Sequence, residues 1–179
     1  MPEQFDLVNE KDEVVGTTNK IESHNLGYPH RVAAVFIFDG ADRLLVQLRK
    51  KDGLLDHSVG GHVRQGETYD QAAARELGEE VGLAVPLDKV GMFYADERVP
   101  ARNHNVVHWF GVYEIKLDNT ELGKMILSQD EIIELKPMSI EDIAKQMIDD
   151  PSRWTLGFMS TLNFYAIQKK LDILLIPLR

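Results

Sequence analysis

The chain has 179 residues, 44% of them hydrophobic, with a net charge of −9 and no cysteine. This length predicts one domain over residues 1–179, of which residues 1–30 would form an N-terminal hairpin and lead-in. The acidic charge argues against a nucleic-acid partner, and the missing cysteines exclude disulfide bonds and thiol catalysis. Neither a signal peptide nor an apolar run of about 20 residues is present, so we predict a cytoplasmic protein with no membrane partner.

The first third of the chain is predicted to form β-strands. Residues 5–22 have the alternation and the polar turn of a short hairpin, and the apolar run that follows predicts a buried strand paired with its successor. The predicted strands are Phe5–Val8, Val14–Thr18, Arg31–Phe38 and Arg43–Leu48, with turns at Asn9–Asp12 and Asp39–Asp42.

A helix over residues 69–81 is predicted from its two ends. Thr68 and Gln71 fit a capping box at the start, and Gly82 lies where a left-handed C-cap belongs. At about 100° per residue, the apolar side chains fall on one arc, which we expect to be buried. These are Ala73, Ala74, Leu77 and Val81.

The remaining chain predicts a mixture of strands and helices. Strands are expected near residues 88–96 and 106–117. Ser139 begins a predicted helix that ends near Asp149, and a last helix is expected over Thr155–Leu171. Strands alternating with helices indicate a mixed sheet between helical layers.

Three carboxylates share the other arc of the helix at residues 69–81. Glu76, Glu79 and Glu80 lie at spacings where like charges repel one another on a bare helix. Such a cluster is often only a solvated acidic face. Divalent cations such as Mg²⁺ or Mn²⁺ would remove the repulsion, because they prefer carboxylate oxygens and keep open positions for phosphate oxygens.

The spacing of these residues resembles the Nudix box in full. The matching residues are Gly61, Glu67, Arg75, Glu76, Glu79, Glu80 and Gly82. The resemblance implies an α/β/α sandwich with a mixed central sheet and hydrolysis of a diphosphate linkage by water activated on Mg²⁺ or Mn²⁺. It implies metal ligands at Gly60, through its carbonyl, and at Glu76, Glu79 and Glu80. Gly61, Glu67 and Gly82 would have structural roles.

The same resemblance suggests which residues take part in catalysis. Glu76, Glu80, Glu131 and Arg75 form the predicted catalytic set. Arg75 would act by pairing with Glu67 and bracing the loop before the helix. Glu131 is the first choice for the general base, since related enzymes often place this base in a loop after the box, and Glu76 and Glu97 are the alternatives.

A narrower resemblance, over roughly residues 5–165, is to the branch that includes isopentenyl-diphosphate isomerase. It rests on Phe5–Asn9, His24, His30, Gly61–His62 and Asp130–Ile132. That isomerase binds a metal through three histidines and two downstream glutamates, and uses a cysteine where this chain has Gly60. The segment Asn103–Val106 lacks the two glutamates, while the hydrolase box is intact. We therefore predict a hydrolase on an isomerase-like frame.

The substrate is predicted only as a class. A small-molecule nucleoside diphosphate linked to another group is the expected substrate, with His24, His30, His62 and Arg49 as binding residues. The histidines, together with His104, could instead hold a second metal or serve the structure. Two further functions remain open, an isomerase-like enzyme and a non-catalytic nucleotide sensor. A homodimer is possible, because dimers are common in the family.

Overall fold

The structure is a computed structural model and describes residues 3–98 and 105–173. Nine strands and five helices alternate along the described chain. The strands are β1 (Gln4–Val8), β2 (Val14–Asn19), β3 (His30–Phe38), β4 (Leu44–Arg49), β5 (Leu55–Asp56), β6 (Val59–His62), β7 (Asp88–Asp96), β8 (Val107–Lys116) and β9 (Ile132–Met138). The helices are α1 (Lys20–Leu26), α2 (Tyr69–Val81), α3 (Asn119–Leu122), α4 (Ile140–Asp149) and α5 (Leu156–Lys169), and a 3₁₀ turn spans Pro151–Arg153.

Seven of the strands form one mixed sheet. Its main path is β5-β4-β3-β8-β7, with β6 paired to β3 and β9 paired to β4. The β3 and β8 strands are parallel and place His30 opposite His108, whereas the other pairings are antiparallel. β1 and β2 form a separate antiparallel hairpin.

Helices cover both faces of the sheet, because alternate residues of a strand point to opposite sides. On β3, Ala33, Val35 and Ile37 pack with the apolar face of α2. Phe36 and Phe38 pack with residues of α4 and α5 on the opposite side. The uninterrupted apolar sequence of β3 follows from burial on both faces.

The N-terminal hairpin is attached to this sandwich by a polar contact at its turn. The side chain of Arg31 donates to the Asp12 carboxylate at 2.6 Å and to the Asp12 carbonyl at 2.6 Å. The Tyr69 hydroxyl, at the start of α2, donates to the same carboxylate at 3.2 Å. Asp12 has a φ of 62°, a left-handed conformation that aspartate adopts more readily than most residues.

The predicted sandwich, mixed sheet and hairpin are confirmed, and so are the bounds of α2. The short elements α1, β5, β6, α3 and β9 were not predicted. The helix faces were partly wrong, because Ala74 is exposed and Ala72 takes its place in the core. Within the described ranges, no helix combines the length and apolar character needed to cross a membrane.

Candidate active site and metal-binding residues

Helix α2 is held at both ends by the sequence-predicted caps. The Thr68 hydroxyl accepts from the backbone N–H of Gln71, and the Gln71 side chain accepts in return from the backbone N–H of Thr68. Gly82 ends the helix with a φ of 72°, a conformation that glycine adopts without strain. The helix therefore presents its glutamates from a fixed position.

Arg75 connects this helix to the loop before it. Its guanidinium donates to both oxygens of Glu67, at 2.8 and 2.9 Å, and to the backbone carbonyl of His62 at 3.0 Å. It also donates to Glu76 at 2.6 Å and to Glu79 at 3.2 Å. A bidentate pair fixes orientation as well as charge. This arrangement gives Arg75 the bracing contacts expected of it.

Gly61 lets the backbone of β6 approach the carboxylate of Glu76. A Cβ atom at Gly61 would lie 1.9 Å from Oε1 of Glu76, so no other residue fits without moving that carboxylate. Burial raises the pKa of Glu76, while hydrogen bonding to Arg75 opposes the shift. Glu76 is thus a constrained carboxylate that a cation would stabilise in its charged form.

Glu80 is buried, with only 2% of its surface exposed, although the sequence suggested that it shares an exposed acidic face. Its carboxylate accepts from Nε2 of Gln47 at 2.6 Å and from the backbone N–H of Gly60 at 3.1 Å. Burial raises the pKa of Glu80 to about 8, and the charges of Glu131 and Glu76 act in the same direction. No lysine or arginine of the described ranges forms an ion pair with it.

These carboxylates fit a hard divalent cation. The charge of Glu131 acts on both Glu76 and Glu80, and Glu76, Glu79 and Glu131 line a common cleft. Oxygen donors from several carboxylates suit Mg²⁺ or Mn²⁺. A buried carboxylate whose nearest charged neighbours are other carboxylates is where a cation would have the largest effect. The backbone N–H of Gly60 donates to Glu80, so this residue lies beside the carboxylates, while its predicted role as a metal ligand through the carbonyl stays a prediction.

The cleft has a volume of about 850 Å³ and a mixed lining. Its lining includes the carboxylates of Glu76, Glu79 and Glu131 and the apolar side chains of Phe110, Trp154 and Leu156. Arg49 lines the cleft too, but its guanidinium already donates to Asp52 and Asp56. A small organic molecule that carries phosphates matches a cleft of this size and lining.

Four histidines lie close together in the structure, and one of them was not identified from the sequence. His24, His30, His62 and His108 offer ring nitrogens that all lie within 4.8 Å of one another. His104, which the sequence suggested, lies outside the described residues. His108 was missed because it lies in an ordinary strand pattern, and only the β3–β8 pairing places it beside His30.

Burial determines the charge of two of these imidazoles. Burial lowers the pKa of His30 to about 3, and the neighbouring charge of His108 adds to the effect. Burial also lowers the pKa of His62 well below its ordinary value. Both rings are therefore neutral at physiological pH. His24 and His62 line the cleft, whereas the side chain of His30 is completely buried behind it.

Glu97 forms a second polar centre beside the histidines. It accepts from the Ser160 hydroxyl at 2.8 Å and lies 2.8 Å from Nδ1 of His108. The sequence named Glu97 only as an alternative general base. In the structure it lines the same cleft and contacts His108.

Comparison with known proteins identifies the family. The NUDIX domain matches residues 28–156. Isopentenyl-diphosphate Delta-isomerase 2 of Photorhabdus laumondii is 30% identical over 177 residues, which cover 94% of this chain and 95% of that protein. The uncharacterized Nudix hydrolase YfcD of Escherichia coli is 31% identical over 147 residues, which cover 79% of this chain and 76% of that protein.

Solved structures agree on the fold. The crystal structure of DR0079 from Deinococcus radiodurans has a TM-score of 0.70 at 24% identity and covers 95% of this chain and 99% of that chain. Dihydroneopterin triphosphate pyrophosphohydrolase of E. coli has a TM-score of 0.57 at 18% identity and covers 76% of this chain and 94% of its own. Because the family match spans more than half of its length, the chain belongs to the Nudix family of hydrolases.

Proposed function

We propose that the protein is a Mg²⁺-dependent pyrophosphohydrolase that cleaves the diphosphate linkage of a nucleoside-diphosphate-type small molecule. The observation that carries this proposal is the buried carboxylate of Glu80, on which the charges of the cleft residues Glu76 and Glu131 act. A cation would favour the charged form of these carboxylates, and a divalent ion there would face the phosphates of a bound substrate.

Each side chain of the site has a role in this proposal. Glu76, Glu79 and Glu80 would hold the ion, with the carbonyl of Gly60. When bound, Mg²⁺ supplies a Lewis acid that polarises a phosphoryl oxygen and lowers the pKa of water. Glu131, exposed at the rim of the cleft, would accept the proton of the attacking water.

The substrate class follows from the rest of the cleft. Lys20 and Lys51 line it near Arg49, and burial together with the charges of Arg49 and Lys20 lowers the pKa of Lys51. Cations that crowd one another favour an anionic ligand, and a diphosphate would relieve their repulsion. The organic group would then lie against apolar side chains such as Phe110 and Trp154. The expected partner is therefore a small-molecule diphosphate.

An isomerase-like activity is the second candidate, because several relatives at about this similarity are named isopentenyl-diphosphate isomerases. The chain has no cysteine, and Gly60 stands where the isomerase resemblance places its catalytic thiol. Proton transfer in an isomerase needs a group at that place. The intact carboxylate set favours hydrolysis, and it also argues against a sensor that binds nucleotides without cleaving them.

The proposal can be tested by a mass-spectrometric screen with Mg²⁺ or Mn²⁺. The panel would contain nucleoside diphosphate sugars, dinucleotides, nucleoside triphosphates and isoprenyl diphosphates. Glu79→Gln is the informative variant, because the side chain is 48% exposed and its replacement should leave the fold intact. Glu141→Gln, an exposed acid on α4, is the matched control.

We expect the wild type and Glu141→Gln to cleave one class of diphosphate, and Glu79→Gln to lose at least about tenfold of that activity. Reaction in water labelled with heavy oxygen should place the label on a phosphate of the product. Conversion of isopentenyl diphosphate without release of phosphate would replace the proposal with the isomerase. Nucleotide binding without cleavage under either metal would replace it with the sensor.

A further inference from the structure

Residues 126–131, which we call the base segment, lie between α3 and β9 and are attached to the core on two sides. On the first side, the backbone N–H of Ile126 donates to the carbonyl of Val81 at 2.9 Å. The backbone N–H of Ser128 donates to the carbonyl of Glu80 at 2.8 Å. Both carbonyls belong to the last turn of α2, where the helix itself offers them no partner. The base segment therefore begins against the end of the box helix.

On its second side, the base segment is attached to the end of β4 through Lys50. The backbone N–H of Lys50 donates to the carbonyl of Glu131 at 2.8 Å. The Nζ atom of the same lysine donates to the carbonyl of Gln129 at 2.7 Å. Lys50 and Gln129 are 79 residues apart in the chain, so only the fold brings them together. One backbone group and one side chain of Lys50 thus hold the segment at two points.

A β-bulge lies immediately after the base segment. Two consecutive residues of β4 pair with Glu134 and Ile132, so Ile133 is an extra residue in β9. Ile132 and Leu135 both pack in the core beside α2, although residues three apart on a regular strand point to opposite faces. Bulges are frequent next to active sites, where they redirect a side chain. Here the bulge lets Ile132 enter the core while Glu131, the residue before it, lines the cleft.

This arrangement brings the carboxylate of Glu131 within electrostatic reach of the box glutamates. Burial is the main cause of the raised pKa values of Glu76 and Glu80, and the charge of Glu131 adds to both. Lys51 lines the same cleft, whereas its neighbour Lys50 does not. Lys50 therefore acts on the site through the segment that it holds, and not by contact with a ligand in the cleft.

We propose that Lys50 is a positioning residue that holds the base segment between β4 and α2, and so keeps the carboxylate of Glu131 beside the carboxylates of α2. This inference rests on the proposed function, in which Glu131 accepts the proton of the attacking water. A general base acts within hydrogen-bond reach of its proton, and a displacement of about 1 Å can cost about 100-fold in rate. A substitution at Lys50 removes the contact of Nζ and leaves the backbone contact in place.

The test compares substitutions at Lys50 with a substitution at a matched lysine. Lys50→Met keeps the length of the side chain and removes its donor, and Lys50→Arg restores a cationic donor. Lys136→Met is the control, because Lys136 lies on the neighbouring strand β9, is 40% exposed and pairs with Glu134. Glu131→Gln removes the proposed base itself. Circular dichroism confirms that each variant is folded.

The first measurement is hydrogen–deuterium exchange of the full-length protein over residues 126–132, which needs no substrate. The backbone N–H groups of Ser128, Glu131 and Ile132 all donate hydrogen bonds here, so their exchange shows how firmly the segment is held. We expect these amides to exchange about tenfold faster in Lys50→Met than in the wild type, since one charged hydrogen bond is lost. Lys136→Met should exchange as the wild type does, and Lys50→Arg should restore most of the protection.

The second measurement is steady-state hydrolysis with Mg²⁺, with ADP-ribose as the first probe and the rest of the screening panel after it. We expect Glu131→Gln to lose about 100-fold or more in kcat. Lys50→Met should lose about tenfold in kcat with KM nearly unchanged, because the base is displaced and the cleft is not. In the Glu131→Gln background, Lys50→Met should have less than about a twofold effect, since no base remains to be positioned.

The outcomes distinguish a failure of this inference from a failure of the proposed function. Unchanged exchange in Lys50→Met would show that Lys50 does not hold the segment. Faster exchange with unchanged kcat would show that the hold does not serve catalysis, and an equal loss of kcat with and without Glu131 would show that it does not act through this residue. Full activity of Glu131→Gln would instead overturn the proposed base. A wild type that cleaves no diphosphate would overturn the hydrolase, while exchange still decides whether Lys50 holds the segment.

Discussion

Two glutamate side chains of the Nudix box lie in environments that disfavour or restrict them in the absence of a cation. Glu80 is buried against Gln47 and Gly60, where burial disfavours its negative charge. Glu76 lies so close to Gly61 that one additional carbon atom would displace it. Both features are unfavourable or restrictive in the absence of a cation, which is why they are informative about function.

The first prediction concerns Glu80→Gln in the metal-free protein. The pKa of Glu80 is about 8 in the folded state against 4.5 in a model peptide, so between these values the folded state retains a proton that the unfolded state releases. The free energy of unfolding of the wild type is therefore highest, as far as Glu80 affects it, below pH 4.5, and it falls as the pH rises towards 8. We expect the free energy of unfolding of Glu80→Gln not to fall in this way, so that the variant is more stable than the wild type at pH 8.5.

Urea unfolding with a chelator at pH 5 and pH 8.5 measures the effect. Glu79→Gln is the control, because this exposed side chain should leave the pH dependence as in the wild type. An equal pH dependence for wild type and Glu80→Gln would show that Glu80 does not carry a raised pKa. Histidine titration contributes to each protein alike and cancels in the comparison.

The second prediction concerns Gly61→Ala. The new methyl group would overlap the Glu76 carboxylate, whose nearest oxygen is 1.9 Å from the Cβ position. We expect the side chain of Glu76 to move and Mn²⁺ affinity to fall by at least about tenfold, with the fold retained. Mn²⁺ binding is measured by calorimetry. Gly40→Ala is the control, since no atom lies within 4 Å of its Cβ position, and equal affinities for both variants would contradict the role of Gly61.

At the scale of elements, α2 is the part of the molecule that joins core and site. Leu77 and Val81 are fully buried against the sheet, while Arg75 and Glu79 on the other side face the loop and the cleft. The capping box and Gly82 fix the ends of the helix, and its apolar face fixes its rotation. Displacement of this face would therefore displace the carboxylates too.

The third prediction is that Leu77→Ala destabilises the protein by about 2–5 kcal/mol, because it removes a buried side chain and leaves a cavity between α2 and β3. Chemical denaturation at constant metal concentration measures the change. Ile167→Ala on α5 is the control, because this side chain is 59% exposed and should change stability by less than about 0.5 kcal/mol. A difference below about 1 kcal/mol between the two variants would mean that Leu77 is not a core position.

Local signals explain what could be predicted at this scale. The ends of α2 depend on Thr68, Gln71 and Gly82, which lie within or next to the helix itself. By contrast, α1 has only seven residues, which are too few for a periodic pattern. Its N-cap Asn19 and its C-cap Gly27 are local signals, but the sequence analysis did not predict a helix between them. The strand β6 contains two glycines and lacks a local strand pattern, although it pairs with β3 along its length.

Local signals likewise predicted some features of the site and missed others. The box glutamates are neighbours on one helix, so their grouping follows from spacing alone. The burial of Glu80 depends on Gln47, and the addition of His108 depends on the pairing of two strands that are distant in the chain. Such relations arise from tertiary packing, which no local pattern contains. The roles of Glu131 and Arg49 stay predictions.

At the scale of the whole molecule, the N-terminal hairpin is bound to the sandwich by polar contacts and by buried side chains. Asp12 pairs with Arg31 at 2.6 Å and accepts from Tyr69 at the start of α2. Phe5 of β1 is completely buried and stacks on His62 with 4.5 Å between ring centroids. The hairpin thus contacts both the box helix and the histidines.

The fourth prediction is that Asp12→Asn destabilises the protein by about 1–3 kcal/mol, because it leaves the guanidinium of Arg31 with a weaker partner. Asparagine tolerates the positive φ of this residue, so the turn itself should persist. Thermal unfolding and hydrogen exchange over β1 and β2 measure the change. We expect Asp12→Asn to speed hydrogen exchange in the hairpin more than in the main sheet.

Asp42→Asn is a close control for this variant. Asp42 also has a positive φ and also pairs with a cation, Lys116, but its side chain is 78% exposed. Exposed pairs contribute little, so its stability should be within about 0.5 kcal/mol of the wild type. Equal effects of the two substitutions would assign the result to the turn conformation instead of the hairpin contact.

The central position of β3 also has a consequence for the order in which the chain can fold. Its parallel partner β8 begins at Val107, after the whole box has been synthesised. Pairing between segments so distant in sequence is slow, because a long loop must close before the contacts form. We expect a nascent chain that ends before β8 to contain every box residue and yet to lack a stable sheet. The box would then be inactive as a separate fragment, and the smallest folding unit would extend at least through β8.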